Sequence, residues 1–204
     1  MNALPSMAQP RPMSNAKRAK FRKNSPQASE SYRALLTRHS SESIEGTAHT
    51  EPDREAQRFS SHSFGAVFVE VAVDPQIGMV RVPRVVAVYD VGKLINEKTG
   101  RSQFIGGIVW GISLALHEAT HVDGRSGRIV NANLAEYHVP VNADIGTIEV
   151  SALDIPDTKL DPLGARGIGE IGITGTGAAV ANAIFHATGK RVRDLPITPD
   201  KLLA

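Results

Sequence analysis

The chain has 204 residues, enough for one domain with a real core, and combines 41% hydrophobic residues with only 5% aromatic residues and 18 glycines. That mixture suits tight turns and close backbone approaches better than a large aromatic-lined pocket. A formal net charge of +2 makes no case for a nucleic-acid partner, and the lack of cysteine excludes disulfides, thiolate-held zinc and iron–sulfur ligation within the chain.

The first 31 residues read as a disordered basic leader. Arg11 to Lys23 carries six basic residues and no acidic one, among Pro, Ser and Asn, with nothing to organise the charges on one face. No run approaches the roughly 18 apolar residues of a membrane span. The N-terminal stretch is also interrupted by Pro and polar residues where a signal peptide would be apolar. A cytoplasmic protein away from the membrane is therefore expected. Residues 32–63 form a polar linker with one short helical candidate, Ser31–Arg38.

Folded sequence is expected over 64–204. Phe64–Val73 alternates as a strand, Asp74-Pro-Gln-Ile-Gly78 is a turn, and Val80–Tyr89 returns as a second strand, so the two make a hairpin. Pro83 lacks an N–H and predicts an edge position or a bulge. A helix fits Arg101 to about His121, with Phe104, Ile108, Ile112 and Ala115 on one stripe. Gly106, Gly107 and Gly111 each weaken that helix by about 1 kcal/mol relative to alanine, which makes sense if something approaches its backbone closely.

Asp123-Gly124 and Ser126-Gly127 are turn signals, and a mixed segment runs from Ile129 to Asp144. Thr147–Leu153 alternates as a strand, and Ile155–Asp161 is a Pro-containing loop. Thr176–Thr188 reads as a helix with Ala179, Val180, Ala183, Ile184 and Ala187 on its buried face and Gly189 as its stop. Thr198 is expected to cap a final turn.

Three motifs could carry chemistry. His117-Glu-Ala-Thr-His121 satisfies the zinc pattern H-E-x-x-H, in which two histidines one helical turn apart hold the metal and Glu118 acts as general base. A zinc metallopeptidase built on His117, Glu118 and His121 is the rival reading, although Gly127 stands where a longer version of the motif would supply a third histidine. Gly167-Ile-Gly-Glu-Ile-Gly172 formally matches a dinucleotide fingerprint. It follows a polar loop rather than a buried strand, and its glutamate would repel a phosphate.

The third motif is Glu170 itself. Glycines on both sides let the backbone come close to a ligand, and the helix that follows adds a partial positive potential and free N–H donors. The residues alone leave two readings open: a general base beside an anionic group, or an ordinary acid leading a helix.

Several long stretches, in order, resemble one family. Gly164-Ala-Arg-Gly-Ile-Gly-Glu170 and Gly172-Ile-Thr-Gly-Thr-Gly-Ala-Ala-Val-Ala-Asn-Ala-Ile-Phe-His-Ala-Thr-Gly189 look like the closing motif of the molybdopterin-binding large subunit of xanthine dehydrogenase/aldehyde oxidase-type hydroxylases. Arg193-Asp-Leu-Pro-Ile-Thr-Pro199 is similar to that family's usual ending. Arg101-Ser-Gln-Phe-Ile-Gly-Gly-Ile-Val-Trp-Gly-Ile112 resembles its glutamine-led, glycine-rich helix, and Asn131-Ala-Asn-Leu-Ala-Glu-Tyr-His-Val-Pro140 resembles its bacterial aldehyde-oxidising branch. The likeness runs from about Tyr32 to Ala204.

The resemblance implies an α+β fold, the C-terminal part of a molybdenum-cofactor-binding domain. It implies a molybdenum–molybdopterin cofactor, in bacteria often the cytosine dinucleotide form, whose metal is held by the pterin and by no protein ligand. It implies an oxidoreductase that hydroxylates an sp² carbon of aldehydes or N-heterocycles and passes electrons to iron–sulfur and FAD subunits. By motif match Glu170 is the catalytic base with Gly169 beside it, Gln103 hydrogen-bonds the pterin, and Gly106 and Gly107 make room for cofactor or backbone. The family's large subunit is several-fold longer, so the resemblance also implies a fragment, inactive until the missing N-terminal part is supplied. A signal-bearing partner could export such a subunit to the periplasm.

Overall fold

The computed structural model describes Thr37 and residues 58–203. Every element below belongs to one compact unit within Thr50–Ala204. The basic leader and the helical candidate Ser31–Arg38 lie outside the described residues, Thr37 apart.

Strands β1 (Phe64–Val73) and β2 (Val80–Asp90) form the antiparallel hairpin that the turn at Asp74–Gly78 predicts. Strand β3 (Ile145–Ala152) then joins β2 in parallel, giving the sheet order β1-β2-β3. Pro83 therefore does not sit on an edge strand: β2 is the middle strand. The bulge half of that expectation holds. Glu70 faces Arg84 and Ala72 faces Arg81, so β2 carries one extra residue where Val82 and Pro83 pass Val71. The missing N–H of proline falls where the ladder is already interrupted. The bulge also switches parity: Val82 points into the core on one side of it, and Val85, Ala87 and Tyr89 on the other.

Helix α1 spans Glu97–Leu116, starting four residues before and ending about five residues before the limits that the stripe pattern predicts. The Asn96 side chain caps it by accepting from the Thr99 backbone N–H at 3.0 Å. At the other end the N–H groups of His117 and Glu118 both converge on Ser113 O, and the backbone leaves the helix at His117. Phe104, Ile108, Ile112 and Ala115 are all buried, as their spacing requires. Full burial of a side chain such as Ile108 stabilises by about 1.5–3 kcal/mol.

Helix α2 spans Thr176–Thr188 and ends at Gly189 in the left-handed conformation, with its N–H on Phe185 O. Its buried line is Thr176, Val180 and Ile184; Ala187 is exposed. A short helix α3, Pro199–Leu203, follows Thr198, whose carbonyl receives the Lys201 N–H. The inward valines of β1 and β2, Ile148 and Val150 of β3, and the buried faces of α1 and α2 share one core, so the domain is a sheet covered on one face by helices. No described helix is long and apolar enough to cross a membrane.

Candidate functional site

The site lies where the C-terminal end of β2 meets the segment leading into α2. Asp90 is the last residue of β2, and its carboxylate accepts from the Gly92 N–H at 3.1 Å. Segment 164–166 is stitched to the chain just beyond it. Lys93 and Asp157 donate backbone N–H groups to Gly164 O at 2.7 and 2.8 Å, and Arg166 N donates to Val91 O at 2.7 Å. Gly92 must be glycine here: its φ is +69°, and a Cβ would stand 2.2 Å from Gly164 O.

The Arg166 guanidinium bridges two carboxylates, Asp90 and Asp157, the latter at 3.3 Å. The Ser61 hydroxyl donates to the same Asp157 oxygen at 2.9 Å. That hydrogen bond, with a smaller contribution from Arg166, holds the Asp157 carboxyl below its ordinary range.

The chain is fixed again beyond the motif. Thr176 Oγ1 donates to Gly172 O at 2.8 Å, and Gly172 packs directly on α1. A Cβ on Gly107 would lie 2.7 Å from Gly172 Cα, so the missing side chain at Gly107 lets two backbones touch. Gly106, in contrast, faces open space. The tyrosine beneath this contact, Tyr89, is buried, and burial pushes its hydroxyl above the ordinary tyrosine range.

Between these anchors Gly167-Ile-Gly-Glu170 spans as an arch. Two side chains hold it: Ser63 Oγ donates to Gly167 O at 2.6 Å, and Gln103 Nε2 donates to Gly169 O at 2.9 Å. Below it opens a concavity of about 530 Å³ lined by Leu94, Asn96, Gln103, Arg166, Ile168 and Gly169, among others. Glu170, the residue after Gly169, is not part of that lining; its side chain is exposed and has no hydrogen-bond or ion-pair partner among the described residues, while its backbone carbonyl accepts from the Ile173 N–H and the Thr174 hydroxyl, both at 3.2 Å.

The structure thus brings Gln103 to Gly169, the residue before Glu170. It sets Gly107 against Gly172 and leaves Gly106 on the open face of α1. Asp90, Asp157, Ser61 and Ser63 are partners that the sequence reading missed, because nothing in local spacing joins Arg166 to Asp90, Ser61 to Asp157 or Ser63 to Gly167, which lie 76, 96 and 104 positions apart. Arg166 lay inside the recognised motif, but its buried charge was the unused signal.

The zinc reading gains no support. Helix α1 stops at Leu116, so His117 and His121 do not share a helical face. The buried Asn131 instead accepts from His121 N at 2.9 Å and donates to Ala119 O at 2.7 Å, holding the segment as a loop. Glu118 accepts from the Tyr137 hydroxyl at 2.9 Å. No group of three or more potential ligands is placed to hold a metal among the described residues.

The molybdopterin cofactor-binding domain model matches residues 6–146, including much of the stretch read as a leader. Gln103, Gly106 and Gly107 lie inside that match, and Gly169 and Glu170 beyond it. The chain is 48% identical over 148 residues to the aldehyde oxidoreductase molybdenum-binding subunit PaoC of Escherichia coli K12, covering 72% of this chain and 20% of that protein. It is 34% identical over 140 residues to the xanthine dehydrogenase molybdenum-binding subunit of Escherichia coli O157:H7, covering 69% and 18%. The crystal structure of the aldehyde oxidoreductase from Desulfovibrio desulfuricans superposes with a TM-score of 0.62 at 33% identity, covering 69% of this chain and 15% of that one. The chain spans about a fifth of the length of the curated relatives it matches.

Proposed function

Because this chain belongs to the xanthine dehydrogenase/aldehyde oxidoreductase family, as part of its molybdopterin-binding subunit, we propose that it supplies the base-bearing wall of a molybdenum hydroxylase active site. The observation that carries the reading is the arch: a carboxylate, Glu170, stands at the end of a glycine span held over an open concavity by Gln103 and Ser63.

The residues present fit one side of a flat, polar heterocycle. No atom lies within 4 Å of where a Cβ would stand on Gly167 or Gly169, so a ligand can approach the backbone there. Gln103 gives its amide nitrogen to Gly169 O, which leaves its carbonyl oxygen and a second N–H to meet a pterin edge. Leu94 and Ile168 give the same concavity apolar walls. When bound, the cofactor would supply the two-electron chemistry and the metal.

The chain's own part is proton handling and alignment. Glu170, as a carboxylate, accepts the proton given up as the substrate's sp² carbon gains a hydroxyl group. Gly169 O and Gln103 fix the direction from which it does so. Its exposure is what one wall of a site presents when the facing wall is a different part of the subunit. Aldehydes and N-heterocycles are the proposed substrates, and the proposed cofactor is molybdopterin in its cytosine dinucleotide form. Iron–sulfur and FAD subunits are the proposed electron acceptors, since the relatives are named as subunits.

The test is to produce this chain with the polypeptide that completes its subunit and to measure molybdenum, pterin and aldehyde oxidation. Glu170→Gln should keep the cofactor and lower turnover by roughly 10²–10⁴, the usual contribution of a general base. Full turnover in that variant would overturn the assignment.

A further inference from the structure

We propose that Arg166 is a positioning residue that fixes where Glu170 points; this rests on Glu170 being the base. Its side chain is only 13% exposed, between Asp90 at 12% and Asp157 at 15%. Each terminal nitrogen gives one of its N–H groups to a carboxylate, so the guanidinium is held at both ends. Its Nε is enclosed and has no partner. A buried cation placed this way serves geometry, and its geometry is set by two different elements. Asp90 ends the middle strand, whereas Asp157 belongs to the loop after β3. Arg166 locks that loop, the strand end and its own segment into one unit, with its backbone N–H on Val91 O as a third tie.

The consequence falls on the next four residues. Arg166 is the near abutment of the arch, and Gly172, seated against Gly107 and bonded by Thr176, is the far one. The glycines between them have no side chains to limit their own motion. With both ends fixed, the hydrogen bonds from Ser63 and Gln103 are enough to select one path for the span. With the near end released, the same glycines let Glu170 swing.

Glutamyl endopeptidase, which cuts after glutamate, reads this directly on the full chain. The products are followed by mass spectrometry, with cleavage after Glu97 and Glu136 as internal controls. Arg166→Met should speed cleavage after Glu170 by about tenfold or more, through a larger open population, while the control sites change by less than about twofold. Arg166→Lys, which keeps the charge but reaches one carboxylate, should fall between. An equal rise at all sites would mean a merely structural role and overturn the proposal, as would no rise after Glu170. Should Arg166→Met not fold, Asp157→Asn releases only the outer carboxylate and is read by the same criterion. Failure of Glu170→Gln to alter turnover in the completed enzyme would sink the base assignment while leaving the cleavage result standing, so the two failures are distinct.

Discussion

Tyr89 and Phe104 stack with ring centroids 4.6 Å apart and planes 19° from parallel, joining the middle strand to the helix that carries Gln103. The Tyr89 hydroxyl continues upward to Gly172 O at 3.4 Å. The floor of the site is therefore a core contact, and core substitutions should be felt at the arch. Phe104→Ala should destabilise the domain by roughly 3–5 kcal/mol, and Phe104→Leu by less. Urea denaturation checks both; a loss below about 1 kcal/mol for the alanine variant would show that the stack is not supporting the fold.

Gly106 and Gly107 are neighbours with opposite surroundings, which makes them a matched pair. Gly106→Ala adds a methyl group to open solvent and should stabilise α1 by up to about 1 kcal/mol. Gly107→Ala drives a methyl into Gly172 and should destabilise by roughly 1–3 kcal/mol despite the better helix former. Thermal melts of the two variants should move in opposite directions.

Gln103 donates to Gly169 O on the protein surface. Gln103→Ala should lower stability by no more than about 1.5 kcal/mol, the range of a single hydrogen bond. Gln103→Glu at neutral pH should be worse, since a carboxylate facing a carbonyl cannot donate. Equal stabilities for the two variants by urea titration would argue against the bond.

Asp157 gives a pH signature. The hydrogen bond from Ser61, foremost, and the nearby Arg166 guanidinium depress its folded value below the unfolded one. Its contribution is then fully present above the unfolded value of about 3.9 and is lost as pH falls through the folded value. The melting-temperature gap between the wild type and Asp157→Asn should be constant from neutral pH to about 5 and narrow steadily below about 4. A gap that widens in acid would reverse the sign of the argument.

Periodicity made much of the fold legible. The hairpin, the stripe Phe104–Ile108–Ile112–Ala115 and the helix over Thr176–Thr188 all follow from local pattern, because burial of one face repeats along an element. The end of α1 was not legible. Apolar spacing continues toward His121, but Asn131 captures the backbone at His121 and Ala119 from ten residues or more downstream. The position of β2 between two partners was hidden for a similar reason: Pro83 argued for an edge, and only the bulge opposite Val71 reconciles it with the centre.

The sequence by itself determined the family and the segment that carries Glu170, since glycine and glutamate in fixed order are a chemical requirement of the local chain. It also determined that Glu170 would stand on yielding backbone. Only the tertiary structure decided what steadies that backbone. Arg166, Asp90, Asp157, Ser63 and Gln103 come from separate parts of the chain. Hydrogen bonds and ion pairs act over a few ångströms of space and are indifferent to separation along the chain.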